Sequence, residues 1–346
     1  MSRAKQLLDW YNLKAYSFPW RQDYNAYKIW ISEIMLQQSQ VNTVIPYYNK
    51  WMQQFPTIKH LSSATLDELL LLWQGLGYYN RVKNIFETVK IIDQNYNRKI
   101  PDNYKNLLSL KGIGDYTASA ILAIGFNIKA IPIDGNIHRV ISRLHELSAT
   151  KNQLKIIKNY TEQYICNKNP RDSVQSLMDL GREICKPKNP NCLLCPLHLE
   201  CLSYQHNTVN AYPVKQNRKP IPAYDVAVGL IKKKNKFLIS KRLKNKFLGG
   251  LWELPGGKIK TGESPQECLE REIKEELNIR VEIHDKIGTV NHQYSHFKVS
   301  ITLYECRYQS GKPIALESDE IRWITDNQKN QFAFPSATHK LFALIT

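Results

Sequence analysis

Residues 110–139 hold a glycine-rich turn and a carboxylate that could act together on a nucleic acid. Gly112 and Gly114 follow an apolar segment and precede a helix-forming run, which predicts a tight hairpin between two helices. Free N–H groups at the start of the second helix could bind one backbone phosphate, although a plain joint between helices would carry the same glycines. Asp134 lies one helix further on, at an expected helix N-terminus where a carboxylate is favoured. This pairing indicates chemistry on DNA.

Glu33 is a second candidate for chemistry, because it stands in an apolar helical run with Ile29, Trp30 and Leu36 about one turn away. Burial on such a face would raise the pKa of its carboxyl, so that it could act as a general acid near neutral pH. A solvated glutamate in the middle of a helix is the ordinary alternative. The glutamines that follow favour the first interpretation, because their donors and acceptors suit base edges in a minor groove. These glutamines are Gln37, Gln38 and Gln40.

The cysteines form the third candidate site, because four of the seven follow the spacing C-x6-C-x2-C-x5-C. Clustered cysteines in a reducing compartment indicate metal binding rather than disulfides. Four thiolates can hold either zinc or a 4Fe–4S cluster, and ligand chemistry alone leaves both open. The clustered residues are Cys185, Cys192, Cys195 and Cys201, whereas Cys166, Cys268 and Cys306 are expected to be ordinary thiols.

An acidic group lies nearer the C-terminus, where Glu272, Glu275 and Glu276 fall on one face of a predicted helix. Such a face could hold Mg²⁺ against a diphosphate, whereas a solvated acidic helix is the plain alternative. Asn278 stands at the expected helix end, where asparagine is the next-best residue after glycine for the left-handed conformation.

The composition narrows the class of partner. The chain has 346 residues, enough for two or three domains, and its net charge of +17 favours a polyanion such as nucleic acid. A generally basic proteome would give the same charge. No apolar run approaches the ~18 residues of a membrane span, and the N-terminus does not resemble a signal peptide. We expect a cytoplasmic location, no membrane partner, and a monomer.

The elements that must position these residues change in kind along the chain. Helical periodicity fills residues 1–205, which predicts an all-α part. Residues 206–223 are polar and contain prolines, which predicts a linker. Strands are predicted at residues 224–231 and 236–240, with the lysine-rich residues 232–235 as the turn. Residues 224–346 are therefore expected to form an α+β domain.

Residues 30–41 resemble the W-x-S-E-x-M-L-Q-Q-T-Q-V motif of the helix-hairpin-helix DNA glycosylases, the superfamily that includes endonuclease III. Together with the hairpin and Asp134, the match is closest to the MutY family of adenine DNA glycosylases and covers nearly the whole chain. The resemblance implies a six-helix barrel (residues 22–131) and a second lobe (residues 1–21 and 132–205). It also implies a 4Fe–4S cluster on the four cysteines and an active site in the cleft.

The same resemblance assigns roles to single residues. Glu33 would protonate adenine and Asp134 would stabilise the sugar oxocarbenium ion, with Tyr116 and Asn136 supporting the transition state. Relatives that cut DNA strands carry a nucleophilic lysine where this chain has Tyr116, so we expect base removal without efficient strand cleavage. Gln38 and Tyr78 are expected to enter the base stack as wedges. The full set of residues expected to contact DNA is Gln38, Ser39, Tyr78, Lys111, Gly112 and Gly114.

The C-terminal part resembles the Nudix signature G-x5-E-x7-R-E-U-x-E-E-x-G-U, with Asn278 in place of the last glycine. In the MutY family such a domain recognises 8-oxoguanine. Tyr294, Ser295 and His296 match its lesion-sensing Phe-Ser-His loop, with tyrosine for phenylalanine. The nearly complete signature also leaves open a second role, the hydrolysis of nucleotides such as 8-oxo-dGTP with Mg²⁺, which we favour less.

We therefore expect a monofunctional adenine DNA glycosylase that acts on double-stranded DNA carrying adenine opposite 8-oxoguanine, and also opposite guanine. One alternative is an endonuclease III-like enzyme for oxidised pyrimidines, against which Tyr116 and the C-terminal domain argue. Another is a nucleotide-pool pyrophosphohydrolase with a DNA-binding helical part. A panel of duplex and nucleotide substrates separates the three.

Overall fold

The computed structural model describes residues 2–14, 16–214 and 220–345. The chain divides into two compact units, one with residues 1–63 and 84–217 and the other with residues 64–83 and 218–346. The first is helical and the second contains a mixed sheet with helices, which confirms the expected fold class. Part of the predicted linker, residues 215–219, lies outside the described residues. In the described part, no helix is long and apolar enough to cross a membrane.

Twelve α-helices precede the sheet in the described residues. They are α1 (Arg3–Lys14), α2 (Ala26–Leu36), α3 (Val41–Gln54), α4 (Ile58–Ser62), α5 (Leu66–Trp73), α6 (Asn80–Asn95), α7 (Tyr104–Leu108), α8 (Asp115–Ala120), α9 (Gly135–Leu144), α10 (Gln153–Glu162), α11 (Pro170–Glu183) and α12 (Leu202–Gln205). Polar side chains start several of them: Asn25 caps α2, Asp134 caps α9 and Asn169 caps α11. These caps fix where the site-bearing helices begin.

The core of the helical unit forms largely around α9 and α11. Ile137, Val140, Ile141 and Leu144 recur at helical spacing on α9, and all four are buried. Gly181 of α11 faces the first turn of α9, where a Cβ on it would come within 2.5 Å of the Asn136 Cβ. The two helices can therefore approach this closely only because residue 181 has no side chain.

The predicted hairpin is present between α7 and α8, and its two glycines differ in importance. Gly112 has φ +78°, and a Cβ there would lie 2.6 Å from the Cβ of Asn84. Gly114 has φ −93°, and nothing lies within 4 Å of a Cβ added to it. Thr88 of α6 donates a hydrogen bond of 2.7 Å to the Lys111 carbonyl. Only Gly112 is therefore required as glycine by backbone conformation and space.

The second unit is built on a seven-stranded sheet. Its strands are β1 (Ala223–Lys233), β2 (Lys236–Arg242), β3 (Trp252–Glu253), β4 (Gly256–Lys258), β5 (Arg280–Gln293), β6 (Lys298–Ser310) and β7 (Ser318–Ile324). The order β3-β2-β1-β6-β5 includes a parallel β1–β6 pair, with β4 paired to β1 and β7 to β2. The predicted turn was placed too early, because Lys232 and Lys233 pair with β2 and only residues 234–235 turn.

Helices cover both faces of this sheet. Helix α13 (Pro265–Leu277) buries Leu269 and Ile273 with Ala227 of β1, whereas α14 (Ser336–Phe342) packs with Val228 and Leu230 of β1. The alternation along β1 follows from the two-residue period of a strand. Asn278 ends α13 at φ +53°, which confirms the left-handed cap predicted for it.

Candidate active site

A cavity of about 610 Å³ in the helical unit collects most of the residues predicted to do chemistry. Glu33 comes from α2, Tyr116 from α8, and Asp134 and Asn136 from the start of α9. The volume lies within the ~300–1,000 Å³ typical of ligand sites. Of the predicted DNA contacts, the cavity is also lined by Gln38, Ser39 and Gly114.

Glu33 is the buried acid of this cavity, with only 4% of its surface exposed. The Tyr116 hydroxyl donates a hydrogen bond of 2.6 Å to its Oε2. Burial raises the pKa of Glu33 from 4.5 to about 7, with a smaller increase from Asp134, whereas the Tyr116 hydrogen bond and Arg21 oppose the rise. Glu33 is therefore protonated in a large fraction of molecules at neutral pH.

Asp134 caps α9 and is held by two hydrogen bonds. Its Oδ1 accepts from the Ile137 N–H at 2.7 Å, and its Oδ2 accepts from the Asn136 side-chain amide at 2.8 Å. Burial raises the pKa of Asp134, and these two donors oppose the increase because they stabilise the ionised form. The site thus places a carboxylate with fixed orientation beside a protonatable one.

Arg139 connects this carboxylate to the cysteine segment. Its guanidinium donates to the Asn136 side-chain oxygen at 2.8 Å and to the Gly181 carbonyl at 2.7 Å. Its Nε donates to the Cys185 carbonyl at 2.7 Å. A continuous set of hydrogen bonds therefore runs from Asp134 through Asn136 and Arg139 to Cys185.

One wall of the cavity was missed by sequence reasoning. Arg21 pairs with the fully buried Asp179 through contacts of 2.6 Å and 3.0 Å, and Arg182 adds a third at 3.1 Å. Asp179 and Arg182 could have been paired from their spacing on α11. Arg21 lies 158 residues from Asp179 in the chain, so no local pattern identifies it.

The segment after α2 forms the cavity rim. The Gln37 side-chain amide donates to the Thr117 hydroxyl at 3.1 Å, which links the end of α2 to α8. Gln38 is exposed and has φ +58°, a conformation that is uncommon for any residue other than glycine. Ser39 is partly buried beside it. The strained backbone thus presents the Gln38 side chain outward.

The other predicted DNA contacts lie on exposed turns. Tyr78 belongs to the second compact unit, has φ +51° and is 43% exposed, so it is not packed in a core. Lys111 and Gly112 are exposed on the hairpin, where the Lys111 ammonium is paired with Glu87. That ion pair is exposed to solvent and therefore contributes little to stability.

The four clustered cysteines line one small cavity together with Arg143. The Arg143 guanidinium donates to the Cys185 Sγ at 3.4 Å and to the Lys186 carbonyl at 2.8 Å. Burial raises the pKa of the Cys195 thiol to about 12, and the other three cysteines of the group make smaller contributions in the same direction. Among the described residues, no three His, Cys, Asp or Glu side chains are grouped closely enough to hold a single metal ion.

The glutamates of the second unit surround Arg271. Its guanidinium contacts Glu263 at 2.6 Å, Glu272 at 2.7 Å and Glu275 at 3.2 Å. Burial raises the pKa of Glu276 to about 8, and the nearby Glu253 and Glu272 carboxylates raise it further. Several carboxyl groups are therefore crowded where α13 meets β3 and β4.

The predicted lesion-sensing residues occupy the turn between β5 and β6. Ser295 and His296 are exposed, and the Tyr294 N–H donates to the Phe297 carbonyl at 2.9 Å. The Tyr294 ring is partly buried against Phe247 and His292, with ring centroids 5.2 Å and 4.6 Å away. Tyr294 therefore anchors the turn that exposes its two neighbours.

Comparisons with known proteins agree with this two-part layout. Residues 31–165 match the model of the HhH-GPD superfamily of base excision DNA repair proteins, and residues 226–344 match the NUDIX domain.

Curated relatives cover most of the chain. An adenine DNA glycosylase of Buchnera aphidicola subsp. Schizaphis graminum is 37% identical over 304 residues, 86% of this chain and 85% of that protein. An adenine DNA glycosylase of Buchnera aphidicola subsp. Acyrthosiphon pisum is 32% identical over 98% of this chain and 96% of that protein. Among solved structures, a thermostable thymine-DNA glycosylase matches with a TM-score of 0.54 and 27% identity, over 59% of this chain and 95% of that one.

Proposed function

Because the chain belongs to the adenine DNA glycosylase family, we propose that its target is adenine paired with 8-oxoguanine, and also adenine paired with guanine. The chain is a DNA N-glycosylase of base excision repair. The observation that carries the mechanism is the cavity in which Glu33, held by Tyr116, faces the oriented carboxylate of Asp134.

Glu33 acts as the general acid. An adenine rotated out of the duplex enters the cavity and receives the proton of Glu33, so that it leaves as a neutral base when the N-glycosidic bond breaks. A pKa of about 7 suits this task because the acid is both populated and able to release its proton at neutral pH.

Asp134 stabilises the positive charge that develops on the sugar. Asn136 and the Ile137 N–H hold its two oxygens, so its orientation is set before the charge appears. Water then adds to the sugar carbon and loses one proton, leaving an abasic site. Tyr116 has no amine to form a Schiff base, so the strand is not cut efficiently.

The remaining predicted residues contact the duplex. Gly112 and Gly114, with Lys111, seat a backbone phosphate on the hairpin. Gln38 and Tyr78 enter the base stack from strained, exposed backbone positions, and Ser39 contacts the groove beside Gln38. Tyr294, Ser295 and His296 read the base opposite adenine, because the two exposed side chains can hydrogen-bond its altered edge.

The four cysteines hold a 4Fe–4S cluster. The donor set fits this group, because four thiols line one cavity and Arg143 donates to a sulfur, as it would to a thiolate ligand. When bound, the cluster supplies a covalent staple for residues 185–201. Arg139 links this segment to Asn136, because it donates hydrogen bonds to both the Cys185 carbonyl and the Asn136 side-chain oxygen.

The decisive experiment is single-turnover adenine release by Glu33→Gln from duplexes with adenine opposite 8-oxoguanine, guanine or thymine. Loss of the general acid should slow release by on the order of 10²–10⁴, with duplex affinity kept. Glu270→Gln, a substitution at an exposed position of α13, is the matched control. Near wild-type release by Glu33→Gln would contradict the mechanism, and equal release opposite thymine would contradict the mismatch assignment.

A second activity, Mg²⁺-dependent hydrolysis of nucleoside triphosphates, is favoured by the crowding of Glu253, Glu272 and Glu276. A divalent cation would relieve the repulsion among these carboxylates. We would measure pyrophosphate release from 8-oxo-dGTP and dGTP by the full chain, beside Glu275→Gln. Hydrolysis abolished by that substitution supports the activity, whereas none with intact adenine release leaves this domain as a reader of the lesion.

A further inference from the structure

Residues 64–83 form one compact unit with the Nudix-like domain, although the glycosylase superfamily model also covers them. They contain α5 and the loop that carries Tyr78. The superfamily match alone would assign this loop to the helical part. Its contacts within the second unit instead indicate that the loop is positioned by the C-terminal domain.

Hydrogen bonds between residues of the loop stabilise its conformation. The Trp73 indole donates to the Gly77 carbonyl at 3.0 Å, and the Arg81 guanidinium donates to the carbonyls of Leu76 at 3.3 Å and Gly77 at 3.0 Å. The guanidinium also lies 5.2 Å from the Trp73 ring centroid and 5.3 Å from that of Tyr78. The exposed Tyr78 ring is therefore fixed relative to its own backbone.

Both ends of the loop form hydrogen bonds with the backbone of Phe334, a residue with no solvent-exposed surface. The Gln74 side-chain oxygen accepts from the Phe334 N–H at 2.9 Å. The Tyr79 hydroxyl accepts from the Gly75 N–H at 3.2 Å and donates to the Phe334 carbonyl at 3.5 Å. A buried backbone group that loses its hydrogen-bond partner is costly, so the loop is expected to follow the position of Phe334.

Residues 333–334 are also linked, through β3, to the turn that carries Tyr294. The Trp252 N–H donates to the carbonyl of Ala333, next to Phe334. One residue further along β3, Glu253 pairs with Arg242, whose Nε donates at 2.8 Å to the carbonyl of Phe247, the residue whose ring packs on Tyr294. Lys241, beside Arg242, holds α5 through both oxygens of Asp67, at 2.8 Å and 2.7 Å.

We propose that Gln74 and Tyr79 are positioning residues through which the Nudix-like domain holds the Tyr78 wedge, so that the domain reading the opposite base also places the ring that opens the stack. This rests on the proposed wedge role of Tyr78. Gln74 and Tyr79 touch neither base, so their effect on base flipping passes through the Tyr78 ring.

The test uses the full chain with Glu33→Gln, so that base release is slow compared with base flipping, and a duplex with 2-aminopurine beside 8-oxoguanine. Its fluorescence rises when the wedge unstacks the step. Gln74→Leu should slow this rise about tenfold because the Phe334 N–H loses its acceptor. Gln74→Glu keeps an acceptor oxygen for the Phe334 N–H and should slow the rise less than Gln74→Leu does. Thermal melting checks that each variant folds, and Tyr79→Phe replaces Gln74→Leu if the latter does not.

A double substitution separates positioning from general damage. Tyr78→Ala should slow the rise at least tenfold but leave it measurable, and adding Gln74→Leu to it should slow it no further. A further tenfold slowing from Gln74→Leu on top of Tyr78→Ala, or a wild-type rise in Gln74→Leu alone, would overturn the positioning role while the wedge stands. A wild-type rise in Tyr78→Ala would overturn the wedge itself, and this inference with it.

Discussion

At the scale of single residues, the proposed chemistry depends on two carboxyl groups with different hydrogen-bond partners. Burial raises the pKa of both, that of Glu33 to about 7, but Asp134 receives two hydrogen bonds that favour its ionised form and oppose the rise. A general acid and a charge-stabilising carboxylate thus operate at the same pH because their surroundings differ.

Tyr116→Phe tests how the acid is tuned. The Tyr116 hydroxyl donates to the ionised form of Glu33 and lowers its pKa, so its removal raises that pKa. Because Glu33 must be protonated to act, the fall in single-turnover rate at alkaline pH should move to higher pH. Tyr308→Phe, which removes a hydroxyl bound to a turn carbonyl in the other unit, should leave the profile unchanged. An unmoved alkaline limb in Tyr116→Phe would show that another group sets it.

The burial of Glu33 also has a consequence for stability. Its folded pKa of about 7 exceeds the ordinary 4.5, so the folded state binds the proton more tightly and stability falls as pH rises from 4.5 through 7. Glu33→Gln cannot ionise, so its stability lacks this pH dependence. Its free energy of unfolding, relative to that of the wild type, should therefore be about 2–3 kcal/mol higher at pH 8 than at pH 5. Urea denaturation at both pH values measures this. Glu267→Gln, at an exposed position, should show no such gain.

At the scale of elements, helix ends and close helix contacts position the site. The cap of α9 is itself the carboxylate that we propose to be catalytic, and the glycine of α11 at position 181 lets Asn136 approach. The hairpin works in the same way, because Gly112 allows the turn to lie against Asn84 of α6. Small residues at these contacts therefore decide where the polar groups end up.

Gly112→Ala and Gly114→Ala form a matched pair for the hairpin. Alanine at 112 must adopt φ +78° and contact Asn84, so it should destabilise by at least about 1–2 kcal/mol and weaken binding to undamaged duplex. Alanine at 114 meets nothing within 4 Å and should change stability by less than about 0.5 kcal/mol. Urea denaturation measures stability and fluorescence anisotropy measures binding. Equal losses of stability in the two variants would mean that Gly112 is not the constrained position.

At the scale of the whole molecule, charge governs the encounter with DNA and burial governs the chemistry. The net charge of +17 suits a polyanion, whereas Glu33 is buried and its partner Tyr116 is partly buried. Binding and base release should therefore respond differently to salt.

Raising salt from 50 to 200 mM should weaken binding to undamaged duplex by on the order of 10³, as expected for about six phosphate contacts. The single-turnover rate of adenine release at saturating protein should change little, because the buried groups are poorly screened. Anisotropy titrations and quench-flow at both salt concentrations measure the two quantities. An affinity that is flat with salt would contradict the proposed phosphate contacts.

The sequence by itself determined the features that depend on local chemistry and spacing. The helix cap at Asp134, the apolar face around Glu33, the hairpin glycines and the left-handed Asn278 are each set by neighbours within one or two turns. Such short-range preferences survive in any fold that contains the segment. Even so, the first two strands each extend two residues further than predicted, to Lys233 and Arg242.

Only the tertiary structure decided which distant groups meet. Arg21 with Asp179, Arg139 with Cys185, and Phe334 with Gln74 are pairs separated by tens to hundreds of residues. Their contacts arise from the packing of whole helices and strands, which the sum of many weak burial terms fixes and no single spacing encodes. The same packing groups residues 64–83 with the sheet. A helical pattern records that α5 forms, but the sequence does not state what its faces will bury against.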